Sequence, residues 1–260
     1  MLLLRVWFGY TMMDNGRFIF DKSNESFFLD WFGKGLHFTH PLLMYYLAKG
    51  SEFFGGLFIL LGMGTRIVAS FVAFTMMVAT LTANIHDIYT GDGSITISFF
   101  LVALLFVLIG GGRWSIDFFL FKKRRRAIPK LLLLIIRIWL GSLLIYTSIL
   151  NTDHDAMYLF FVWASGKLGI AAGVWVTSIP KGIELACGVL LMLGLFRKIS
   201  STVIAVFMLI ITIFSKLHFI TVGDANHAYV NIYFWLSALV LFFRPQNWSL
   251  ERRAGRKGFG

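Results

Sequence analysis

The feature that most constrains the fold of this chain is a repeat of its own sequence at an offset of 132 residues, without a gap from Leu2 to Asp92. Leucine matches carry little weight in so apolar a chain, but charged residues, histidine and tryptophan are scarce in it. Their matching pairs are Arg5 and Arg137, Trp7 and Trp139, Trp31 and Trp163, Lys49 and Lys181, Glu52 and Glu184, His86 and His218, and Asp92 and Asp224. The repeat therefore predicts a tandem duplication of one structural unit.

The composition indicates an integral membrane protein. Hydrophobic residues make up 58% of the chain and charged residues 14%, whereas soluble domains average about 45–50% and about 25%. Eight apolar segments, four in each copy, approach the ~20 residues with which a helix crosses a bilayer. They are residues 2–20, 41–61, 67–85, 95–109, 131–150, 177–195, 199–216 and 229–243. We therefore predict an all-α, polytopic membrane protein with eight transmembrane helices in two four-helix bundles.

The apolar segments also predict the domain organisation. The expected parts are a first four-helix repeat (1–120), a basic linker (121–130), a second four-helix repeat (131–251) and a basic tail (252–260). Because each repeat has an even number of helices, both copies would enter the membrane in the same orientation, as parallel repeats side by side. Residues 21–40 and 151–176 mix aromatic with polar side chains, which is typical of interfacial helices or re-entrant segments.

The charge distribution predicts the orientation in the membrane. Eight crossings place both termini on one side, together with the loops after the second, fourth and sixth helices, and this side carries 17 of the 24 basic residues. By the positive-inside rule, both termini are cytoplasmic. The first helix, which has no cleavage site after it, is expected to be a retained signal anchor. The basic run at residues 122–126 is expected to contact anionic lipid, and no nucleic acid is implied.

Two carboxylates are predicted to lie inside the membrane. Glu52 and Glu184 fall near the middle of the second helix of each repeat, where a charged group costs on the order of 2.5 kcal/mol or more. Lys49 and Lys181 precede them by three positions, a spacing that allows an ion pair on one helix face. Two interpretations remain open: an internal pair that secures helix packing, or a catalytic carboxylate that handles a proton or binds substrate. The neighbouring glycines are interpreted as packing residues: Gly50, Gly55, Gly56, Gly182 and Gly188.

Two arginines and an asymmetric position are further candidates. Arg5 and Arg137 lie in the first helix of each repeat, near the predicted cytoplasmic side. Each either extends to the lipid headgroups or turns inward to reach a carboxylate or to bind an anion. Asn15 lies late in the first helix and Thr147 occupies the matching position, so that the first repeat is the better candidate for a working site.

Polar residues at the predicted outer face form a third group. His86 and His218 close the third helix of each repeat, and Asp92 and Asp224 follow six positions later. Paired histidines allow a haem or metal site, but their place at a helix end favours interfacial hydrogen bonding. We predict an outer-face polar site without metal, which also includes Lys49 and Lys181. The single Cys187 excludes a disulfide within the chain and a cysteine-ligated cluster, so that electrons would come from a bound cofactor or a partner.

Several short motifs resemble the DoxX family of four-helix membrane proteins. In the first repeat they are residues 3–9 continuing to 15–16, 51–56, 61–66 and 112–117. In the second repeat they run from Ile136 and Arg137 through Ile183 and Glu184 to Trp248 and Ser249. The family usually has a histidine before the glycine late in the first helix, where this chain has Asn15 and Thr147.

The resemblance implies a subunit associated with quinone-linked oxidoreductases of the bacterial inner membrane, including those that pass electrons from thiosulfate to quinone. An outer-face donor or a periplasmic or membrane redox partner would then supply electrons, Glu52 and Glu184 would handle the proton, and an oligomer is left open. The expected quinone-binding residues are Arg5, Arg137, Trp7, Trp139 and Asn15. A non-enzymatic scaffold or assembly factor is the alternative. A small-molecule transporter is disfavoured, because only Pro180 interrupts a helix near mid-membrane.

Overall fold

The computed structural model describes residues 1–22, 25–83, 85–86, 88–89, 91–121, 129–150, 156–168, 174–216 and 224–242. Within these ranges the chain is helical, without β-strand. It divides into two compact units, Met1–Pro129 and Lys130–Gly260. Each of the eight predicted apolar segments overlaps one long helix in the described part of the chain.

The first unit is built from two pairs of long helices. Its helices are α1 (Leu2–Gly16), α2 (Glu25–Asp30), α3 (Pro41–Leu61), α4 (Thr65–Thr82), α5 (Gly91–Ile109) and α6 (Ile116–Phe121). A 3₁₀ turn, Arg17–Phe20, follows α1, and a π-helical turn, Trp31–Gly35, follows α2. The helix α1 packs along α3, and α4 packs along α5. The segment 21–40, which was expected to be interfacial, thus contains α2 and the π-helical turn.

The second unit repeats this packing. Its helices are α7 (Lys130–Leu150), α8 (Ala156–Leu168), α9 (Val174–Leu193), α10 (Arg197–Lys216) and α11 (Asp224–Phe242). The helix α7 packs along α9, and α10 packs along α11. The segment 151–176 contains α8. Residues 122–128 of the predicted linker and 252–260 of the predicted tail lie outside the described residues.

Four of the described helices are long and apolar enough to cross a bilayer, judged by length and composition. They are Thr65–Thr82, Asp92–Ile109, Lys130–Leu150 and Arg197–Phe214, which lie in α4, α5, α7 and α10. The remaining long helices carry more polar residues or are shorter. For example, α3 contains Lys49 and Glu52, and α1 has 15 residues. The polytopic membrane character predicted from the composition agrees with these four spans.

The turn between the second and third long helices has the same geometry in both units. Gly62 ends α3 with φ 73°, where the Gly62 N–H donates to Ile59 and the Met63 N–H donates to Phe58. Gly194 ends α9 with φ 71° and an equivalent pair of hydrogen bonds. Both turns are Schellman caps, in which a left-handed residue closes the helix and glycine is favoured. The duplication is therefore visible in local geometry as well as in sequence.

Paired glycines set the close crossing of the first two long helices in each unit. A methyl group on Gly9 would lie 2.7 Å from the carbonyl oxygen of Gly56, and one on Gly141 would lie 2.9 Å from that of Gly188. Backbones approach this closely only where side chains are absent. The packing interpretation of Gly56 and Gly188 thus agrees with the structure, whereas a methyl group on Gly182 would meet nothing within 4 Å.

Candidate functional site

The most distinctive polar feature of the first unit is an ion pair on α3. Lys49 Nζ lies 2.9 Å from Glu52 Oε2, and the two side chains are 15% and 11% exposed. Glu52 is eleven residues from the start of this 21-residue helix, close to its middle. The spacing of three residues predicted such a pair, and the structure forms it.

The Lys49 ammonium group has further contacts from neighbouring segments. It donates to the backbone carbonyl of Asn15 at 3.4 Å, and it lies 5.0 Å from the ring centre of Phe28 and 6.0 Å from that of Phe18. Aromatic faces attract a cation through their quadrupole. Asn15 contributes its backbone here, and its side chain is exposed.

The aromatic cover, defined here as Phe18, Phe28 and Tyr45, is positioned by the end of α1. The helix ends at Gly16, where any side chain would collide with the backbone of Phe53 on α3. The following 3₁₀ turn brings the carbonyl of Phe18 to Tyr45, whose Oη donates to it at 2.6 Å. The rings of Phe28 and Tyr45 lie 5.5 Å apart. These contacts close one side of the ion pair with apolar surface.

The buried carboxylate of the second unit has a different hydrogen-bond partner. Glu184 is fully buried on α9, and its Oε2 accepts a hydrogen bond from Thr147 Oγ1 at 3.2 Å. Thr147 is the match of Asn15. No ion pair joins Lys181 to Glu184 among the residues that the structure describes. The predicted pairing is thus confirmed for Lys49 and Glu52 and is wrong for Lys181, because Glu184 points to α7 and not along its own helix.

Arg5 lies against Gly62 at the C-terminal end of α3, away from the ion pair. It is 3% exposed, and it donates to the carbonyl oxygens of Gly111 at 2.8 Å and Trp114 at 2.7 Å. Its guanidinium packs against Gly62, ten residues or ~15 Å along α3 from Glu52. The structure does not bring Arg5 and Glu52 together, and both Nη atoms hold the loop that follows α5.

Asp117, the second residue of α6, follows this loop and was not predicted as a functional residue. Its two carboxylate oxygens accept from the backbone N–H groups of Gly64 at 2.7 Å and Thr65 at 2.8 Å, which caps the start of α4. Asp117 also lies within electrostatic range of Arg5. The cap joins segments more than fifty residues apart, so that no local sequence signal indicates it.

The remaining predicted quinone-binding residues are Trp7, Trp139 and Arg137, and the structure describes some of their contacts. Trp7 is partly buried, and its ring packs 6.0 Å from that of Phe99. Trp139 is partly buried on α7, and its backbone carbonyl accepts a hydrogen bond from the Ser142 hydroxyl group. Arg137 is 2% exposed, and within the described residues no hydrogen bond or ion pair joins it to Glu184.

The predicted outer-face site is described only in part. His86 lies exposed in the turn after α4, and Asp92 is exposed in the first turn of α5. His218 lies outside the described residues, and Asp224 is described only as the first residue of α11. No hydrogen bond joins His86 to Asp92, and within the described part of the chain no three His, Cys, Asp or Glu side chains cluster to hold a metal ion.

Comparisons with known proteins identify the family. The model of the DoxX family matches residues 1–85 and again residues 132–217. The chain is also 28% identical over 125 residues to the protein named Putative oxidoreductase CatD of Bacillus subtilis (strain 168), an alignment that covers 48% of this chain and 89% of that protein. No solved structure matches the chain. Since the family model matches more than half of the chain in two successive copies, this multi-pass membrane protein belongs to the DoxX family.

Proposed function

We propose that this protein is a membrane subunit of a quinone-linked oxidoreductase, in which Glu52 exchanges a proton with a lipid-soluble quinone. One observation carries this proposal: the ion pair of Lys49 and Glu52 lies near the middle of α3 and is still partly exposed. Ionisable groups at such depth are expensive and commonly mark a site of proton or substrate handling. The name of the Bacillus subtilis relative, an oxidoreductase, supports the same class of activity.

The proposed membrane arrangement follows from the repeat. The eight long helices α1, α3, α4, α5, α7, α9, α10 and α11 would all cross the bilayer, with both copies in the same orientation and both termini in the cytoplasm of a bacterial cell. Glu52 would then lie near mid-membrane, at a depth that a quinone reaches by lateral diffusion. The outer face, with His86 and Asp92, would receive the electron donor or redox partner.

The chemical step balances with the residues of the first repeat. A quinone takes up two electrons and two protons to become a quinol, and the donor at the outer face would supply the electrons. Glu52 would pass a proton to each quinone oxygen in turn and regain one from water after each transfer, which supplies both protons. The Lys49 ammonium would stabilise the carboxylate between these transfers, because an opposite charge at 2.9 Å favours the ionised form. The backbone carbonyl of Asn15, which accepts from Lys49, borders this position.

The roles of the arginines and tryptophans in quinone binding stay predictions. Arg5 donates to the carbonyl oxygens of Gly111 and Trp114. We therefore assign it the role of positioning the loop that follows α5. The ring of Trp7 packs against Phe99, and the backbone carbonyl of Trp139 accepts from Ser142. Glu184, which is fully buried, is the weaker candidate for proton exchange.

The test is the substitution Glu52→Gln, assayed as quinone reduction in membranes that contain the protein and its electron donor. We expect turnover to fall by about 10²–10⁴-fold, the contribution typical of a positioned acid or base. Ser70→Ala is the control, because its hydroxyl lies on the exposed face of α4 and bonds only to the carbonyl of Arg66. If Glu52→Gln reduces quinone as fast as the control, Glu52 does not transfer the proton.

A non-enzymatic scaffold for a membrane complex is the second candidate. It is favoured by the hydrogen-bonded ion pair that Lys49 and Glu52 form within one helix, as a purely structural pair would. Co-purification with a membrane complex, no quinone in a lipid extract, and a Glu52→Gln variant that loses thermal stability but not complex activity would together establish this function.

A further inference from the structure

The first unit exposes a second ion pair, at the end of α1. Arg17 Nη1 lies 3.1 Å from Asp14 Oδ1, and the two side chains are 65% and 46% exposed. The side chain of Asn15, between them in sequence, is exposed as well. Arg17 turns back along α1 to reach Asp14, and does not extend away from the end of the helix. The charges therefore stay at the level of the last turn of α1.

Contacts between α1 and α3 fix this level. A side chain on Gly16 would collide with the backbone of Phe53, and the carbonyl oxygen of Asn15 accepts from Lys49 Nζ at 3.4 Å. Phe53 and Lys49 both lie near the middle of α3, which has 21 residues and is therefore ~31 Å long. This length matches a hydrocarbon core of ~30 Å. In the membrane arrangement proposed above, the exposed ion pair at the end of α1 thus lies near mid-membrane.

Polar side chains are also exposed on the segment that leads from this level to the start of α3. The segment follows α3: the ring of Phe28 lies 5.5 Å from that of Tyr45, and a methyl group on Gly33 would lie 3.4 Å from Pro41, the first residue of α3. Its exposed polar side chains include those of Arg17, Asp21, Lys22, Ser26, Asp30 and Lys34. Such side chains are therefore exposed at successive levels from the middle of α3 to its outer end.

The matching turn of the second unit is suited to lipid. Tyr146 and Ile149 occupy the positions of Asp14 and Arg17, and Ile149 is 59% exposed. An exposed isoleucine is stable among acyl chains, whereas charged groups inside a membrane face the protein interior or a water-filled cavity. Because the pair of Asp14 and Arg17 is exposed, the protein interior does not enclose it, and a water-filled cavity is the arrangement that fits.

We propose that this side of the first unit borders a water-filled vestibule, which opens at the outer face and reaches the ion pair of Lys49 and Glu52. Asp14, Asn15 and Arg17 line its inner end. Lys49 connects the two, since its ammonium group donates both to the Asn15 carbonyl and to Glu52. The inference rests on the proposed function, because it uses that membrane arrangement and names the route by which Glu52 regains protons from water.

The experiment measures the reaction of single cysteines with a charged methanethiosulfonate that does not cross membranes. The reagent is added to right-side-out membrane vesicles that contain the full chain. The thiolate is the reactive form, and an apolar environment disfavours it. We expect Asn15→Cys to react within about tenfold of the rate of Lys34→Cys, and at least about 100-fold faster than Phe74→Cys. The native Cys187 is buried, so that the unchanged chain is the blank.

The two reference positions bracket the result. Lys34, whose side chain is 79% exposed, lies in the π-helical turn near the outer end of the unit. Phe74 lies in the middle of α4 and is 62% exposed, on a face whose other exposed residues include the apolar Ile67, Phe71 and Leu81. Asn15 and Phe74 are both exposed, so that a difference between them reports contact with water. Because the side chain of Asn15 is exposed, the variant Asn15→Cys is expected to fold.

Each outcome supports or overturns the vestibule. Reaction of Asn15→Cys from the outer side, with Phe74→Cys protected, supports it. No reaction, reaction only in inverted vesicles, or equal reaction of both variants overturns it. Reaction in detergent alone also overturns it, because lipid or a partner chain then covers the ion pair in the membrane.

The labelling requires neither quinone nor electron donor, so that it is independent of the turnover test of Glu52→Gln. A reactive Asn15→Cys together with full turnover of Glu52→Gln would support the vestibule and reject the proton role. A protected Asn15→Cys together with lost turnover would support the proton role and reject the vestibule.

Discussion

The two repeats bury a glutamate at matching positions and stabilise it in different ways. In the first repeat, Glu52 pairs with the Lys49 ammonium group on its own helix at 2.9 Å. In the second, Glu184 accepts a hydrogen bond from the Thr147 hydroxyl group of the adjacent helix at 3.2 Å. The glycine crossing and the turn that follows are the same in both repeats. Duplication has thus preserved the backbone and the acid while the partner of the acid has changed.

This difference bears on which repeat can exchange protons. Glu52 is 8% exposed, whereas Glu184 is 0% exposed. Proton exchange requires a path to a donor or to water, and only the first carboxylate retains some access. The charged partner also favours an ionised Glu52, while a hydroxyl group can donate to either an ionised or a neutral carboxyl group. The first repeat is therefore the better candidate for the proposed proton exchange.

The largest expected difference between the repeats comes from removing their matching lysines. Lys49→Met leaves the Glu52 carboxylate buried without its cation, and we expect a loss of about 3–5 kcal/mol in the free energy of unfolding. Lys181→Met should change it by less than about 0.5 kcal/mol, because no ion pair links Lys181 to Glu184 in the described structure. The midpoint of thermal unfolding in detergent, followed by circular dichroism, measures both.

The double variant Lys49→Met with Glu52→Gln is the control for this prediction. With the charge also removed from position 52, most of the lost stability should return, since the cost lies in the unpaired carboxylate and not in the lost lysine stem. Equal destabilisation by Lys49→Met and Lys181→Met would show that the two repeats do not differ in the way described.

Sequence reasoning found the elements and contacts that depend on local spacing. The repeat offset and the apolar segments predicted the long helices, and the interval of three residues predicted the pair of Lys49 and Glu52. The contacts that it missed join distant segments. Arg5 meets Gly111 across 106 positions, and Asp117 caps α4 across more than fifty. Such contacts depend on how the helices cross, which residue spacing along one helix does not determine.

The second comparison concerns the glycine crossings. A methyl group on Gly56 would lie 2.6 Å from the carbonyl oxygen of Gly9, and one on Gly188 would lie 2.9 Å from that of Gly141. We expect Gly56→Ala to cost about 1–3 kcal/mol through overpacking, and Gly188→Ala to cost less. Gly182→Ala is the control, since open space surrounds that position. Thermal unfolding ranks the three variants, and a cost at Gly182 that equals the cost at Gly56 would contradict steric packing as the cause.

The smallest expected effect tests the position where the repeats diverge. Thr147→Val keeps the shape of the side chain but removes the hydroxyl group that donates to Glu184, and we expect a loss of about 1–2 kcal/mol in unfolding free energy. Asn15→Ala at the matching position should cost less than about 0.5 kcal/mol in unfolding free energy. The backbone carbonyl of Asn15 accepts from Lys49, and its side chain is exposed, so that the substitution leaves this contact in place. Urea unfolding of the two variants in the same detergent gives the comparison. A larger loss for Asn15→Ala would mean that the Asn15 side chain, and not its backbone, supports the ion pair of the first repeat.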